Sequence, residues 1–337
     1  MTRTPIELLL SEAPAARPTV SLSEGSDPRV VAGALAARKA GIADVILVGA
    51  ADAVAAELHA QGSAAGHGIS IHDPATSPLT TEFSTAYHDL RRHKGVDEAT
   101  ARKAVETPLV YAAMLVRQGH ATGTVGGAVA TTSDVVRTAI QVIGPAPGAA
   151  MVSSFFLMYP PERATPNARA MLYSDSGLVI DPDADELAAI AAASATSCRA
   201  LLRQEPKIAM LSFSTKGSAR HDKVTKVTNA LAKLKLDHPE LQADGELQFD
   251  AAFVPSVGTS KAPGSDVAGQ ANVMIFPNLD AGNIGYKITQ RLGGYTAIGP
   301  ILQGLAKPAN DLSRGCTASD VTQMIAVTVL QAMANPT

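Results

Sequence analysis

Tryptophan is absent from the chain, and aromatic residues of all kinds make up 4% of it, which argues against a protein that grips nucleic acid by stacking bases. Neither charge sign is in excess. The 28 lysines and arginines face 31 aspartates and glutamates, so no bulk positive field exists to hold a polyanion. Cysteine occurs only at Cys198 and Cys316, too rarely for a disulfide framework or a cysteine-rich zinc site. No apolar run approaches the ~20 residues of a membrane span, and the short apolar run near Glu7 is too brief for a signal-peptide core. These absences predict a soluble cytoplasmic protein with no nucleic-acid or membrane partner.

Familiar chemical signatures are missing too. The dinucleotide fingerprint GxGxxG does not occur, and residues 123–127 (GTVGG) have the wrong spacing. The phosphate loop GxxxxGK[ST], HExxH and GxSxG are absent. The eight histidines show no ligand-like spacing, and His88 and His93 sit on a charged segment that reads as a solvated surface. This argues against a nicotinamide enzyme of the usual kind, an NTPase or a zinc hydrolase.

What is present is a chain with a sizeable core: 46% hydrophobic and 18% charged over 337 residues, a length that suggests two domains. Short apolar runs at 19–25, 43–49, 121–126, 207–214, 271–277 and 296–302 read as strands, and 151–159 is strand-like as well. Stretches 30–40, 98–118, 133–142, 184–203, 224–234 and 319–334 read as helices. Strands alternating with helices predict an α/β protein with mostly parallel sheets flanked by helices and right-handed crossovers. The Pro/Gly-rich segments at 143–149 and 293–300 are the candidate crossings, giving one discontinuous domain over 1–148 plus 300–337 and a second over 149–299.

Four constellations could carry chemistry. Residues 307–320 (KPANDLSRGCTASD) gather Asn310, Asp311, Ser313, Arg314, Cys316 and Asp320 ahead of an apolar helix. Gly315 suits a sharp turn, Arg314 offers a planar fork for phosphate, and Thr317 with Asp320 also reads as a capping box. A second site echoes it: Thr131, Thr132 and Asp134 follow a glycine turn and open a helix, where free N–H groups can bind an anion. Arg137 there reads equally as the partner of Asp134. The third is residues 278–287 (NLDAGNIGYK) after a strand, with Asn283, Tyr286 and Lys287 as candidates, or with Asn283 as a helix cap and Lys287 solvated. The fourth is the basic cluster Arg91, Arg92 and Lys94, either a solvated face or a nucleotide-phosphate patch.

These segments resemble the phosphate acetyltransferase family over nearly the whole chain. The match is carried by SEGSDPRV (23–30), LSFSTKGSA (211–219), DGELQFDAA (244–252), KAPGSDVAGQANVMIFPNLDAGNIGYK (261–287) and GLAKPANDLSRGC (304–316). The resemblance implies a two-domain fold like isocitrate and isopropylmalate dehydrogenases with the active site in an interdomain cleft. It implies a homodimer, and the reversible reaction acetyl phosphate + CoA ⇌ acetyl-CoA + phosphate without metal or prosthetic group. It also implies the family's short form, with no additional N-terminal regulatory domain. By the same resemblance Ser313, Arg314 and Asp320 form the catalytic centre, and Arg91 and Arg137 bind CoA. Thr131, Thr132, Asn283, Tyr286 and Lys287 are then the groups expected to bind acetyl phosphate. A cysteine that the family carries earlier in its chain has no counterpart here.

The chemistry this requires is attack by a thiolate on an acyl carbonyl. A free thiol has a pKa of about 8.5 and an aspartate about 3.9, so Asp320 as base needs desolvation or proton transfer concerted with attack. Ser313 would donate to the developing oxyanion, worth roughly 2.7–4 kcal/mol, and Arg314 would grip the phosphoryl oxygens. The rival route makes Cys316 a covalent nucleophile. Other readings of the chain are a butyryl- or short-chain acyl transferase, a metal-dependent dehydrogenase, and a non-catalytic acetyl-CoA-sensing domain.

Overall fold

Runs such as residues 45–48 are apolar on both faces, which only a sheet covered on both sides satisfies. The computed structural model describes residues 3–12, 17–162 and 167–334. It contains two such sheets, each in its own unit: a terminal unit running from Pro5 to Pro147 and from Leu305 to the last described residue, and a central unit of Gly148–Gly304, with which residues 3 and 4 are grouped.

The terminal unit begins with α1 (Pro5–Glu12), β1 (Thr19–Leu22), α2 (Pro28–Lys39), β2 (Asp44–Val48), α3 (Ala51–Ala60), β3 (Ile69–His72), α4 (Leu79–Arg91), α5 (Glu98–Val105), α6 (Pro108–Arg117), β4 (Gly123–Gly126) and α7 (Thr132–Thr138). The central unit follows with β5 (Ser153–Tyr159), β6 (Met171–Ser174), α8 (Ala184–Leu202), β7 (Lys207–Leu211), α9 (Asp222–Asp237), β8 (Gln242–Leu247), α10 (Phe249–Phe253), α11 (Pro255–Lys261), β9 (Val273–Ile275), α12 (Leu279–Arg291) and β10 (Thr296–Gln303). The chain returns to the terminal unit with β11 (Ala309–Asp311) and α13 (Ala318–Ala334).

The terminal sheet has the order β11-β4-β1-β2-β3, with every neighbouring pair parallel. The central sheet has the order β10-β5-β6-β9-β7-β8. Its β10–β5 and β5–β6 pairs are antiparallel and the rest parallel. The expected α/β class with mostly parallel sheets is therefore what the chain adopts.

Local departures from expectation have local causes. The helix expected over 98–118 is two helices, because Pro108 has no N–H to continue the first and instead takes the first position of α6. The helix expected over 133–142 ends at Thr138 and widens into a π-helical turn closed by Gly144. The return expected at residue 300 comes after Gly304, because β10 runs on through Gln303 beside β5. Strand β11 was not expected at all: Ala, Asn and Asp are poor strand formers. It forms because Asn310 is tied to α13, its Nδ2 donating to Thr328 Oγ1 at 2.9 Å and to Gln331 Oε1 at 2.7 Å. Among the described residues no helix is long and apolar enough to cross a membrane.

Helix α13 is buried through Val321, Ile325 and Leu330, each side chain worth roughly 1.5–3 kcal/mol, and it lies against α2. The approach is close enough that a Cβ on Gly33 would stand 2.5 Å from Val321 Cβ and 2.8 Å from Ala318 O. Thr322 Oγ1 donates to Gly33 O across the same contact at 3.1 Å. Gly33→Val should therefore destabilise the terminal unit by about 1–3 kcal/mol in urea unfolding, despite a better helix former. An unchanged midpoint would show that the two helices can separate freely.

Candidate active site

In the terminal sheet Leu22 lies beside Val125 and Asp311 beside Gly126, so β1, β4 and β11 end level with one another. The order of the sheet reverses between β1 and β4: β2 and β3 lie to one side, β11 to the other. Such a switch point at the carboxyl edge is where open α/β sheets bind ligands.

The segment after β1 organises this edge. Its Glu24 carboxylate accepts from three successive backbone N–H groups of the turn after β4: Ala128 at 2.8 Å, Val129 at 3.0 Å and Ala130 at 2.7 Å. The glycine turn was expected to offer those N–H groups to an external anion; they are filled by this internal one. Asp27 caps α2 and forms a two-point pair with Arg29, accepting from Nε at 3.0 Å and Nη2 at 2.8 Å. The rest of the Arg29 fork donates to three carbonyls: Arg314 at 2.7 Å, Cys316 at 3.3 Å and Ala128 at 2.8 Å. One guanidinium thus ties the loop carrying Ser313 and Arg314 to the turn that leads into Thr131 and Thr132.

Ser313 and Arg314 are exposed on that loop. Gly315 N–H donates to Ser313 Oγ at 3.2 Å and Cys316 N–H to Ser313 O at 2.8 Å, which leaves the Ser313 hydroxyl hydrogen uncommitted. Among the described residues no carboxylate pairs with Arg314. Asp320 forms the capping box with Thr317: its Oδ2 accepts from Thr317 N at 2.8 Å and Oγ1 at 2.9 Å, leaving Oδ1 without a partner among the described residues. Cys316 is buried, and burial pushes its thiol up, with the Arg29 charge pulling the other way.

Thr131 is spent as the cap of α7, accepting from Asp134 N–H at 3.2 Å and donating to Asp134 Oδ2 at 2.8 Å. Thr132 is exposed, and its Oγ1 lies 2.6 Å from Asp311 Oδ2. Asp311 itself is fully buried, and its second oxygen, Oδ1, has no hydrogen-bond partner among the described residues. Gly127, at φ 101, makes this possible, since a Cβ there would run into that oxygen. Arg137 pairs with Asp134 at 2.9 Å, both exposed. Arg91, the last residue of α4, is half-buried with an unpartnered Nε, whereas the adjacent Arg92 is exposed and 4.0 Å from Asp89.

Asn283, Tyr286 and Lys287 lie in the central unit, on α12. The cap of that helix is Asn278, whose Oδ1 accepts from Ala281 N–H at 3.0 Å, not Asn283. Asn283 Nδ2 donates to Ser176 O at 3.2 Å, and Lys287 Nζ donates to Asn283 Oδ1 at 2.8 Å. Tyr286 stacks on Phe156 with ring centres 3.9 Å apart. The 176–179 segment that Asn283 meets is held by the buried Asp175, which accepts from the N–H groups of Gly177, Leu178 and Val179 and from Ser154. A cavity of about 610 Å³ near the carboxyl ends of β7 and β9, lined by Leu211, Phe213, Lys226, Phe249, Phe276 and Asn278, contains none of the expected residues.

Sequence reasoning missed Glu24 and Arg29 as parts of this edge, and it named Asp311 within the 307–320 cluster without giving it a role. The available signal was SEGSDPR directly after an apolar strand: an acid and a base on a turn at a carboxyl edge. Their partners lie about a hundred to almost three hundred positions away, which spacing does not reveal. Among the described residues no group of three or more His, Cys, Asp or Glu side chains could hold a metal ion.

Comparison with known proteins gives a consistent result. A family model described as Phosphate acetyl/butaryl transferase matches residues 5–329. A phosphate acetyltransferase of Paracoccus denitrificans is 47% identical over 97% of this chain and 99% of its own length. The crystal structure of a phosphotransacetylase from Streptococcus pyogenes superposes with a TM-score of 0.91 at 40% identity, covering 98% of both chains. A 4-hydroxythreonine-4-phosphate dehydrogenase from Klebsiella pneumoniae shares the fold alone, at TM-score 0.54 and 12% identity.

The buried carboxyl makes this edge sensitive to pH. Burial pushes Asp311 up to about 7, aided by the nearby Glu24 charge and opposed by the Thr132 hydrogen bond. Between the unfolded value of about 3.9 and that value the folded chain binds more protons than the unfolded one, so stability falls as pH rises through the interval and levels off above it. Relative to Asp311→Asn, the native chain should lose up to about 4 kcal/mol of unfolding free energy between about pH 4 and about pH 7.5. Parallel urea-unfolding curves for the two proteins across that range would contradict the assignment.

Proposed function

This chain belongs to the phosphate acetyl/butyryl transferase family, and we propose on that premise that it transfers an acetyl group reversibly between acetyl phosphate and coenzyme A. The observation that carries the reading is the Arg29 fork, which ties the Ser313–Arg314 loop to the turn entering α7 at the carboxyl edge of one sheet. A hydroxyl with a free hydrogen and a guanidinium that no carboxylate pairs with among the described residues are thereby presented side by side, with a carboxylate following on the first turn of α13.

In this reading the thiol of CoA gives its proton to Asp320 as the sulfur attacks the acetyl carbonyl. The Asp320 Oδ1 is the accepting atom, because Oδ2 is held by Thr317. Concerted transfer removes the need for a fully formed thiolate. The Ser313 hydroxyl donates to the oxygen that becomes an oxyanion. Arg314 binds the phosphoryl oxygens and follows them as phosphate departs, and the proton taken up by Asp320 is returned to that phosphate, which leaves as hydrogen phosphate. Thr132, on the terminal unit, binds the phosphoryl group of acetyl phosphate, and Arg91 and Arg137 bind the phosphates of CoA. The half-buried, partly unsatisfied Arg91 supports its choice over Arg92. Burial of Cys316 and its raised pKa speak against a covalent cysteine route, since the thiolate is the nucleophile. The reaction as proposed uses no metal or prosthetic group. Both substrates are highly charged and do not cross bilayers, which supports a cytoplasmic setting.

We assign the enzyme a homodimeric state. Ile284, Ile288 and Leu292 recur every four residues along α12 and its cap and are 57%, 53% and 85% exposed, an apolar stripe that water covers poorly and a second copy could cover. Light scattering should give twice the chain mass for the native protein and the single-chain mass for Ile284→Glu with Ile288→Glu. A native mass equal to one chain would refute the assignment.

A thioester assay with acetyl phosphate and CoA tests the function. Turnover should persist with chelator and be faster with acetyl than with butyryl phosphate. Ser313→Ala and Asp320→Asn should each lower kcat by about 100-fold or more while changing KM little. Cys316→Ala should retain near-native kcat. Full kcat in either of the first two variants would remove that residue from its role, and loss of turnover in the third with the fold intact would restore the covalent route.

A further inference from the structure

Asp311 is the buried acid that the reaction as described leaves unused. Its side chain is fully buried, one oxygen touches the Thr132 hydroxyl, and the other has no partner. A carboxylate in that position would carry charge on an orphaned oxygen, which is costly; a neutral acid would leave only a carbonyl oxygen unsatisfied. We propose that Asp311 works as the protonated acid, donating its own hydrogen from Oδ2 to Thr132 Oγ1 and so turning the Thr132 hydroxyl hydrogen outward to the phosphoryl group of acetyl phosphate. This rests on the reading of Thr132 as a phosphate-binding group.

The geometry makes Asp311 a polarity switch. A hydroxyl has one hydrogen to give. With Asp311 neutral, Thr132 accepts from it and donates to the substrate. With Asp311 ionised, Thr132 must donate inward, and it then presents lone pairs, backed by a carboxylate, to an anion. Of the cations on the neighbouring elements, Arg29 is held by Asp27 and three carbonyls and Arg314 is exposed, and neither bonds Asp311. Glu24 faces Asp311 with the same sign and is itself held by three backbone N–H groups. Asp134 and Arg137 on α7 pair with each other, and Asp320 on α13 is tied to Thr317. Strands β4 and β11 bring no other charged side chain. The raised pKa of Asp311 puts the change within the working range. Asp311 is thus a positioning residue, acting through Thr132.

The experiment is the pH profile of KM for acetyl phosphate in the full-length protein. In the native enzyme KM should rise about tenfold between about pH 6.5 and about pH 8.5. In Asp311→Asn, where an amide N–H donates at every pH, the rise should be absent. The ratio of the two proteins at each pH cancels any ionisation of the substrates, and a merely structural role would shift KM equally across the range. Thr132→Val removes the hydroxyl without touching the buried acid, and it should also flatten the profile; it carries the test if Asp311→Asn does not fold. A native KM that does not rise, or a rise that persists unchanged in the variants, overturns the proposal. Should the native protein show no turnover at all, the functional reading fails separately. Calorimetric binding of inorganic phosphate by the native and variant proteins, compared in the same way, then decides the role of Asp311.

Discussion

The carboxyl edge of the terminal sheet depends on one arrangement: an acid and a base five positions apart, Glu24 on the turn after β1 and Arg29 at the start of α2, reaching into two distant loops. Glu24 satisfies three N–H groups that the turn after β4 could not pair within the sheet. Arg29 satisfies three carbonyls from the loops at 128 and 313–316. Irregular backbone at a sheet edge leaves donors and acceptors that must be paired or wetted. Using charged side chains for both makes the loops rigid while leaving the side chains of Ser313, Arg314 and Thr132 to face outward.

The central unit solves the same problem with Asp175, whose carboxylate gathers the N–H groups of 177–179. Glu24 and Asp175 are fully bonded internal anions, so the turns they fill are structural cradles and are not themselves open to a substrate anion. Asp311 stands apart because only one of its oxygens is bonded. That difference in satisfaction separates an acid that holds the fold from one whose proton has something to do.

Much of the architecture was legible in the sequence because burial writes itself into composition. The near-continuous apolar runs within 43–49 and 207–214 read as covered strands, and the alanine-rich 184–203 as a packed helix, and each forms over most of that span. The failures were places where a local rule yielded to a partner far away. Strand β11 is made of poor strand formers held by α13. Asn278 caps α12 while Asn283, equally plausible by type, reaches Ser176 instead. The capping box of Thr317 and Asp320 was legible because its partners are three residues apart.

The sequence by itself determined the alternating strand and helix order, the capped helix starts and the chemical types available at 313–320, since each follows from neighbours within a few residues. Only the tertiary structure decided that Glu24 fills the glycine turn, that Arg29 holds the Ser313 loop, and that Asp311 is buried against Thr132 with an oxygen left over. Those outcomes depend on which chain segments meet at the level ends of three parallel strands, and burial and pairing across such a meeting have no period for a sequence to display.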